Sequence, residues 1–167
     1  MAQATTLRRT FIRSSALFGG SLALAITYLL SPASRPFRSS VEHLLAQSTG
    51  AFLSWFDPSV LVNSTTVTIN GFTAQVIPAC TGLFTTAIFL AAVIAFPCPW
   101  RRKLSGLALG VFGLFAVNWI RIVSLLLIGG YWPSAFDVTH LLIWRSGVLV
   151  IAAFLWLSWA RRAVAHG

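Results

Sequence analysis

The sequence predicts an all-α integral membrane protein with about four transmembrane helices, a short extracytoplasmic β-hairpin and an interfacial amphipathic helix. Two observations support this fold class. First, the 167 residues are 57% hydrophobic and only 9% charged, with a mean hydropathy of +0.82, whereas soluble domains have about 25% charged residues. Second, the apolar residues are concentrated in runs that are separated by short basic or proline-containing segments. A surface of this composition suits lipid rather than water.

The net charge of +9 comes from twelve Lys and Arg against three Asp and Glu. In a soluble protein such an excess would indicate nucleic-acid binding. Here the basic residues cluster at the ends of the apolar runs, as they do in the cytoplasmic loops of membrane proteins. We therefore expect the lipid bilayer as a partner, and no nucleic acid.

The first apolar run, residues 16–31, follows a basic segment at residues 1–15. It is roughly long enough to cross a bilayer, which takes about 17–25 residues. The stretch RRTFIR also resembles a twin-arginine export signal, with the SPAS stretch as a cleavage site. Because further apolar runs follow, we prefer an uncleaved first span with its basic end in the cytoplasm.

Residues 32–79 are predicted to lie outside the cytoplasm, at the membrane surface. Pro32 and Pro36 break the first helix. The stretch FRSSVEHLLAQSTGAFLSWF that follows has the composition of an amphipathic helix lying on the membrane. It makes a poor span because Glu42 and His43 would be costly inside a bilayer.

A hairpin and three more spans complete the predicted organisation. Asn70-Gly71 lies between two β-prone stretches, which indicates a two-stranded hairpin over residues 64–77. The rest of the single membrane domain, residues 1–167, is predicted as span 80–96, cytoplasmic loop 97–103, span 104–128, extracytoplasmic loop 129–139, span 140–160 and cytoplasmic tail 161–167.

A cytoplasmic N-terminus explains the distribution of basic residues. Four spans return the C-terminus to the cytoplasm, and a fifth through residues 38–56 would put the later basic clusters outside, against the positive-inside rule. This topology places Cys80 and His140 at the outer ends of their spans, and Arg121 in the outer half of its own. The basic residues that fall inside are Arg8, Arg9, Arg13, Arg101, Arg102, Lys103, Arg161 and Arg162.

Cys80 is the first candidate for chemistry. It follows Pro78 at a predicted helix start, where the positive end of the helix dipole favours the nucleophilic thiolate. The structural alternative is a small buried hydrophobe, a common role for cysteine. A disulfide with Cys98 is excluded, because the intervening helix spans about 27 Å and bridged Cα atoms lie within about 7 Å. Cys98 is interpreted as a packing residue.

Arg121 interrupts an apolar span, which costs roughly 2.5–3.5 kcal/mol at the centre of a bilayer. Arginines in such positions usually face a bundle interior and carry function. Asn118 lies one turn earlier on the same helix face, where it is expected to orient the guanidinium. The alternative is that Arg121 snorkels to the outer headgroups.

His140 opens the last predicted span, with Asp137 or Thr139 as its cap. A histidine at a helix N-terminus tends to stay neutral, which suits a general base. The alternative is an interfacial histidine hydrogen-bonded to a neighbour. Arg145 lies about a turn deeper, where it would bind a substrate carboxylate or pair with Asp57 or Asp137.

Three stretches in order resemble the motifs of the exosortase/archaeosortase family. They are ACTG at 79–82, NWIR at 118–121 and His140, within a resemblance that covers residues 76–150. The compact four-span plan is similar to that of the small exosortase H group. The resemblance implies a membrane cysteine transpeptidase or endopeptidase of the bacterial inner membrane. Its substrates would be exported, membrane-anchored proteins with a C-terminal PEP-CTERM-type sorting tail, composed of a short motif, an apolar span and a basic cluster.

The resemblance also implies roles for individual residues on the outer face. Cys80 would form a thioester with the substrate, Arg121 would stabilise the oxyanion and His140 would transfer the proton. The hairpin would deliver Cys80 and read the sorting motif. The remaining candidates would position or bind the substrate: Thr81, Gly82, Asn118 and Arg145. We expect no cofactor, and no metal site because His43 and His166 fall on opposite membrane faces.

Two other classes of protein remain open at this stage. A non-catalytic multi-pass subunit of a transport or assembly system would use Arg121 to line a cavity and would tolerate replacement of Cys80 and His140. A thiol redox enzyme would need two neighbouring thiols, whereas the predicted topology places one cysteine at each membrane face.

Overall fold

Apolar runs form helices along most of the chain. The computed structural model describes the backbone of residues 2–165 and the side chains of residues 8–164. His166 and the end of the predicted tail lie outside the described residues. The helices are α1 (Ala2–Leu30), α2 (Arg35–Leu53), α3 (Leu83–Ala95), α4 (Trp100–Ala108), α5 (Leu114–Tyr131), α6 (Phe136–Val138) and α7 (Arg145–Ala165).

Two π-helical turns join some of these helices into longer rods. Leu109–Gly113 connects α4 to α5, and Thr139–Trp144 connects α6 to α7. Three helices of the described chain are long and apolar enough to cross a membrane: Arg8–Leu30, Trp100–Tyr131 and Pro133–Val164. The predicted all-α membrane fold is confirmed.

The second predicted span, residues 80–96, corresponds to the shorter helix α3. Its 13 residues extend about 20 Å, less than the roughly 30 Å hydrocarbon core of a bilayer. The predicted start at residue 80 is wrong, because Pro78–Cys80 forms a separate 3₁₀ turn. Gly82 then takes a left-handed conformation that delays the helix until Leu83.

The other predicted helix ends also shift. Residues assigned to the cytoplasmic loop 97–103 belong in part to α4, which begins at Trp100. Charged side chains can extend away from a helix axis, so a basic cluster does not by itself end a helix. Likewise, much of the predicted loop 129–139 is helical, since α5 ends at Tyr131 and a 3₁₀ turn at Pro133–Ala135 leads into α6.

The hairpin is present but belongs to a three-stranded antiparallel sheet. β2 (Thr66–Ile69) and β3 (Phe72–Gln75) pair around Asn70-Gly71, and both turn residues have positive φ, as a tight hairpin requires. The prediction of two strands missed β1 (Leu61–Asn63), which pairs with the other edge of β2. Three residues are too few for their alternation to identify a strand.

The sheet, α2 and α5 enclose one hydrophobic core. The predicted amphipathic helix is α2, whose buried residues recur at helical spacing and pack on the sheet and α5. A second core joins α3, α5 and α7 around Phe89, Val93 and Trp159. Both cores include residues of α5, which therefore connects the sheet end of the molecule to the opposite end.

A hydrogen-bonded loop closes the sheet end. The Tyr131 hydroxyl donates to Asp57 Oδ2 at 2.6 Å, and the Ser59 backbone N–H donates to Asp57 Oδ1 at 2.8 Å. These hydrogen bonds, led by that of Tyr131, lower the pKa of the Asp57 carboxyl. The loop between α2 and β1 is thereby attached to the end of α5.

Candidate active site

A short turn carries Cys80 between β3 and α3. Ile77 is extended, as a residue before proline prefers to be, and Pro78 starts the 3₁₀ turn. The Cys80 N–H donates to the Ile77 carbonyl at 2.8 Å, and the Thr81 N–H donates to the Pro78 carbonyl at 3.3 Å. The Cys80 side chain is half-buried.

Thr81 and Gly82 connect this turn to α3. The buried Thr81 hydroxyl donates to the Pro78 carbonyl at 2.8 Å and accepts from the Leu83 N–H at 3.4 Å. Gly82 is the N-cap of α3 and has a φ of +73°, which favours glycine. Cys80 therefore lies before the helix rather than at its first residue, and the predicted helix-start geometry for the thiolate is wrong.

Asn118 on α5 holds the Cys80 backbone. Its side chain is completely buried, and Nδ2 donates to the Cys80 carbonyl at 2.6 Å. The sequence predicted that Asn118 orients Arg121, whereas in the structure its side chain donates to the Cys80 carbonyl instead. The amide packs so closely that a Cβ on Gly82 would lie 3.1 Å from Asn118 Cγ. Asn118 Oδ1 is buried without a hydrogen-bond partner among the described residues.

Cys80 and His140 line one small cavity beside β3. Its volume is about 200 Å³, below the roughly 300–1,000 Å³ of typical small-molecule sites. It therefore suits a side chain or a short stretch of peptide rather than a whole ligand. The walls are mostly apolar and are formed by Ala74, Gln75, Val76, Ile77, Cys80, Ile122, Leu125, Leu126, Phe136 and His140.

An aromatic row supports His140. Its ring stacks on Phe136 at a centroid distance of 5.5 Å, and Phe136 contacts Phe72 of β3 at 4.9 Å. His140 does not begin its helix as predicted, because the helix begins earlier in the chain and His140 lies in the π-helical turn. Such turns are frequent at functional sites. Phe136 was missed by sequence reasoning, although its position four residues before His140 places the two rings on one helix face.

The two arginines lie outside this cavity. Arg121 is half-buried on α5, next to the cavity-lining Ile122. Within the part of the chain that the structure describes, its guanidinium has no hydrogen-bond or ion-pair partner. Arg145 is exposed at the start of α7, and Asp57 bonds to Tyr131 and Ser59 rather than to Arg145. The structure thus groups Cys80, Thr81, Gly82, Asn118 and His140, and leaves Arg121 and Arg145 at the periphery.

A lateral groove separates α3 and α7 farther along the bundle. It has a volume of about 410 Å³ and is almost entirely apolar. The two helices that form it are those that follow Cys80 and His140 in the chain, so the groove extends away from the cavity toward the opposite end. It is lined by Thr85, Ile88, Phe89, Ala92, Leu149, Ala152, Ala153, Trp156 and Leu157.

Replacing Asn118 with Ala is expected to lower the free energy of unfolding by about 1–3 kcal/mol, because the Cys80 carbonyl loses its buried donor. Thiol-reagent labelling of Cys80 should also change in rate, since its turn is no longer held. Asn63→Ala, at an exposed position in β1, is the control and should change neither quantity. Unaltered labelling and an unaltered unfolding midpoint in Asn118→Ala would contradict this structural role.

Comparison with known proteins identifies the family. A family model described as transmembrane exosortase (Exosortase_EpsH) matches residues 9–160, which is most of the chain. No curated protein matches the chain. No solved structure matches it either. The family match covers the ACTG and NWIR stretches, the sheet and His140, and so the chain belongs to the transmembrane exosortases, a family of membrane protein-sorting transpeptidases.

Proposed function

We propose that this protein is a cysteine transpeptidase or endopeptidase that cleaves the C-terminal sorting tail of exported proteins at the outer face of the inner membrane. The observation that carries this proposal is the shared cavity of Cys80 and His140 at the sheet end of the bundle. A thiol and an imidazole that line the same cavity are a nucleophile and a general base, the pair used in nucleophilic catalysis at an acyl group. Family membership independently supports a sorting transpeptidase in general.

The proposed reaction proceeds through a thioester. His140 takes the Cys80 proton, and the sulfur attacks the scissile carbonyl carbon. The C–N bond then breaks while the imidazolium gives its proton to the leaving amine. In the second half, His140 deprotonates water or an acceptor amine, which attacks the thioester carbonyl and releases the Cys80 thiol. Protons and electron pairs balance without any further reactant.

Arg121 is proposed to stabilise the oxyanion of both tetrahedral intermediates. Arg121 precedes the cavity-lining Ile122 on α5, and its guanidinium has no partner among the described residues, so it is not held elsewhere by an ion pair. We propose that it turns toward the cavity when the substrate carbonyl is present. Arg145, exposed at the start of α7, is proposed to bind substrate charge near the cavity rim.

The substrate tail is proposed to occupy the apolar groove between α3 and α7. The groove faces outward from the bundle, and its small residues Ala92, Ala152 and Ala153 would let another helix approach closely, as in membrane helix pairs. A tail in this groove would bring the residues that precede it to the Cys80 cavity.

Cys80→Ala is expected to leave the protein inserted in the membrane and to lower tail processing by about 10³-fold or more, because no thioester can form. Processing is measured as the mobility shift of a tailed substrate reconstituted with the enzyme in liposomes. Cys98→Ala is the matched control and should process normally. Normal processing by Cys80→Ala would refute the cysteine mechanism and favour a non-catalytic subunit of a transport or assembly system.

Arg121→Gln is expected to reduce kcat by about 10²–10³-fold with a small change in KM, as loss of an oxyanion-stabilising group does. Arg121→Lys keeps the charge and should recover part of the loss. Single-turnover kinetics on the same substrate separate thioester formation from its breakdown. Equal activity of the Gln variant and the unmodified enzyme would remove Arg121 from the reaction.

Ala153→Phe places a ring in the α3–α7 groove, and we expect about a tenfold loss of kcat/KM for a substrate that carries an apolar span. A short soluble peptide with the motif but no span should be processed unchanged. Ala116→Phe, at an exposed position on α5 outside this groove, is the control. A fall in kcat/KM for both substrates, or for neither, would show that the tail does not occupy this groove.

A further inference from the structure

β3 is an edge strand beside the candidate active site. The strand order is β1-β2-β3, so β3 pairs with β2 on one side only. The chain passes from β3 directly through the Pro78 turn to Cys80. A strand added to the free side of β3 would therefore lie next to the nucleophile.

The hydrogen-bond pattern identifies which residues of β3 face the free edge. The Val76 N–H donates to the Thr65 carbonyl at 2.8 Å, so Thr65 and Val76 form a hydrogen-bonded pair. Bonded and non-bonded pairs alternate along an antiparallel ladder. Gln75, opposite Thr66, and Thr73, opposite Thr68, are thus the non-bonded residues.

The N–H and C=O groups of Thr73 and Gln75 therefore point away from β2. In the described part of the chain these backbone groups have no hydrogen-bond partner. Both residues are exposed, and no strand of the described chain pairs with this edge. Unpaired groups of this kind are the template on which an extended peptide forms an additional strand.

The same edge borders the Cys80 cavity. Residues 74–77 line the cavity, and the rest of its lining is Cys80, residues of α5, Phe136 and His140. The cavity is thus bordered both by the strand that carries the unpaired edge and by mostly apolar side chains. Main-chain groups on one side and apolar side chains on the other are the two requirements for binding an extended peptide.

We propose that the sorting motif of the substrate binds as a fourth strand on β3, paired to Thr73 and Gln75, with one apolar side chain in the cavity. This inference rests on the proposed function.

The direction of the added strand follows from the direction of the substrate chain. β3 runs toward Cys80, and the substrate must run from its motif through the scissile bond into the α3–α7 groove. The added strand is therefore parallel to β3, and in a parallel pair the N–H and C=O of each bonded residue are both used.

Thr73→Pro tests the strand addition. Proline at this position removes the N–H that points to the free edge, while every hydrogen bond between β2 and β3 is kept. Edge strands tolerate proline at such positions. Thr73→Ala is the matched control, since it also loses the side-chain bond to Thr68 but keeps the N–H. We expect kcat/KM for tail processing to be about tenfold or more lower in Thr73→Pro than in Thr73→Ala. Equal processing by the two variants would overturn the proposal.

A measurement on the unmodified enzyme removes any effect of the substitution on folding. Substrates with a single backbone ester in place of an amide lose one N–H donor at a chosen motif position. Strand addition predicts that alternate esters reduce kcat/KM and the intervening ones do not. A uniform effect, or none, would overturn strand pairing. Cys80→Ala tests the catalytic proposal separately, because strand pairing can fail while Cys80 remains essential.

Discussion

The hydrogen bond between Asn118 Nδ2 and the Cys80 carbonyl, 2.6 Å long, is the contact on which the candidate site depends. Asn118 is fully buried, so losing this bond would leave its amide donor without a partner in the protein interior. Gly82 makes the approach possible because it has no side chain to meet the amide. The position of Cys80 is consequently set by α5, the helix that also carries Arg121 and part of the cavity wall.

This dependence on α5 explains how a small membrane protein builds an ordered site. Among the described residues, α2 and the sheet pack on α5 at one end, and α3 and α7 join it in the second core at the other. The helical segments expose large apolar side chains, including Leu24, Phe112 and Phe154, which is expected for surfaces in contact with lipid. The cavity borders the first core, because Val76, Ile122 and Leu126 belong to both.

Local signals predicted those features that a few neighbouring residues control. Asn70-Gly71 predicted the β2–β3 hairpin because a tight turn needs two residues that accept positive φ. The composition of the stretch that forms α2 predicted an amphipathic helix. The short strand β1, the delayed start of α3 and the early start of the His140 helix were not predicted. Each of these features depends on strand pairing or on turn geometry, and a hydrophobic pattern predicts neither.

The sequence by itself determined the membrane class, the family resemblance and the candidate residues, because composition, charge distribution and motif order are properties of the chain alone. Only the tertiary structure decided which candidates meet. It brought Cys80 and His140 into one cavity and paired Asn118 with the Cys80 backbone. It left Arg121 and Arg145 outside the cavity. The physical reason is that these contacts join segments that are distant in the chain. They depend on which helix faces pack together and on the conformation of the turns, and residue types alone do not specify either.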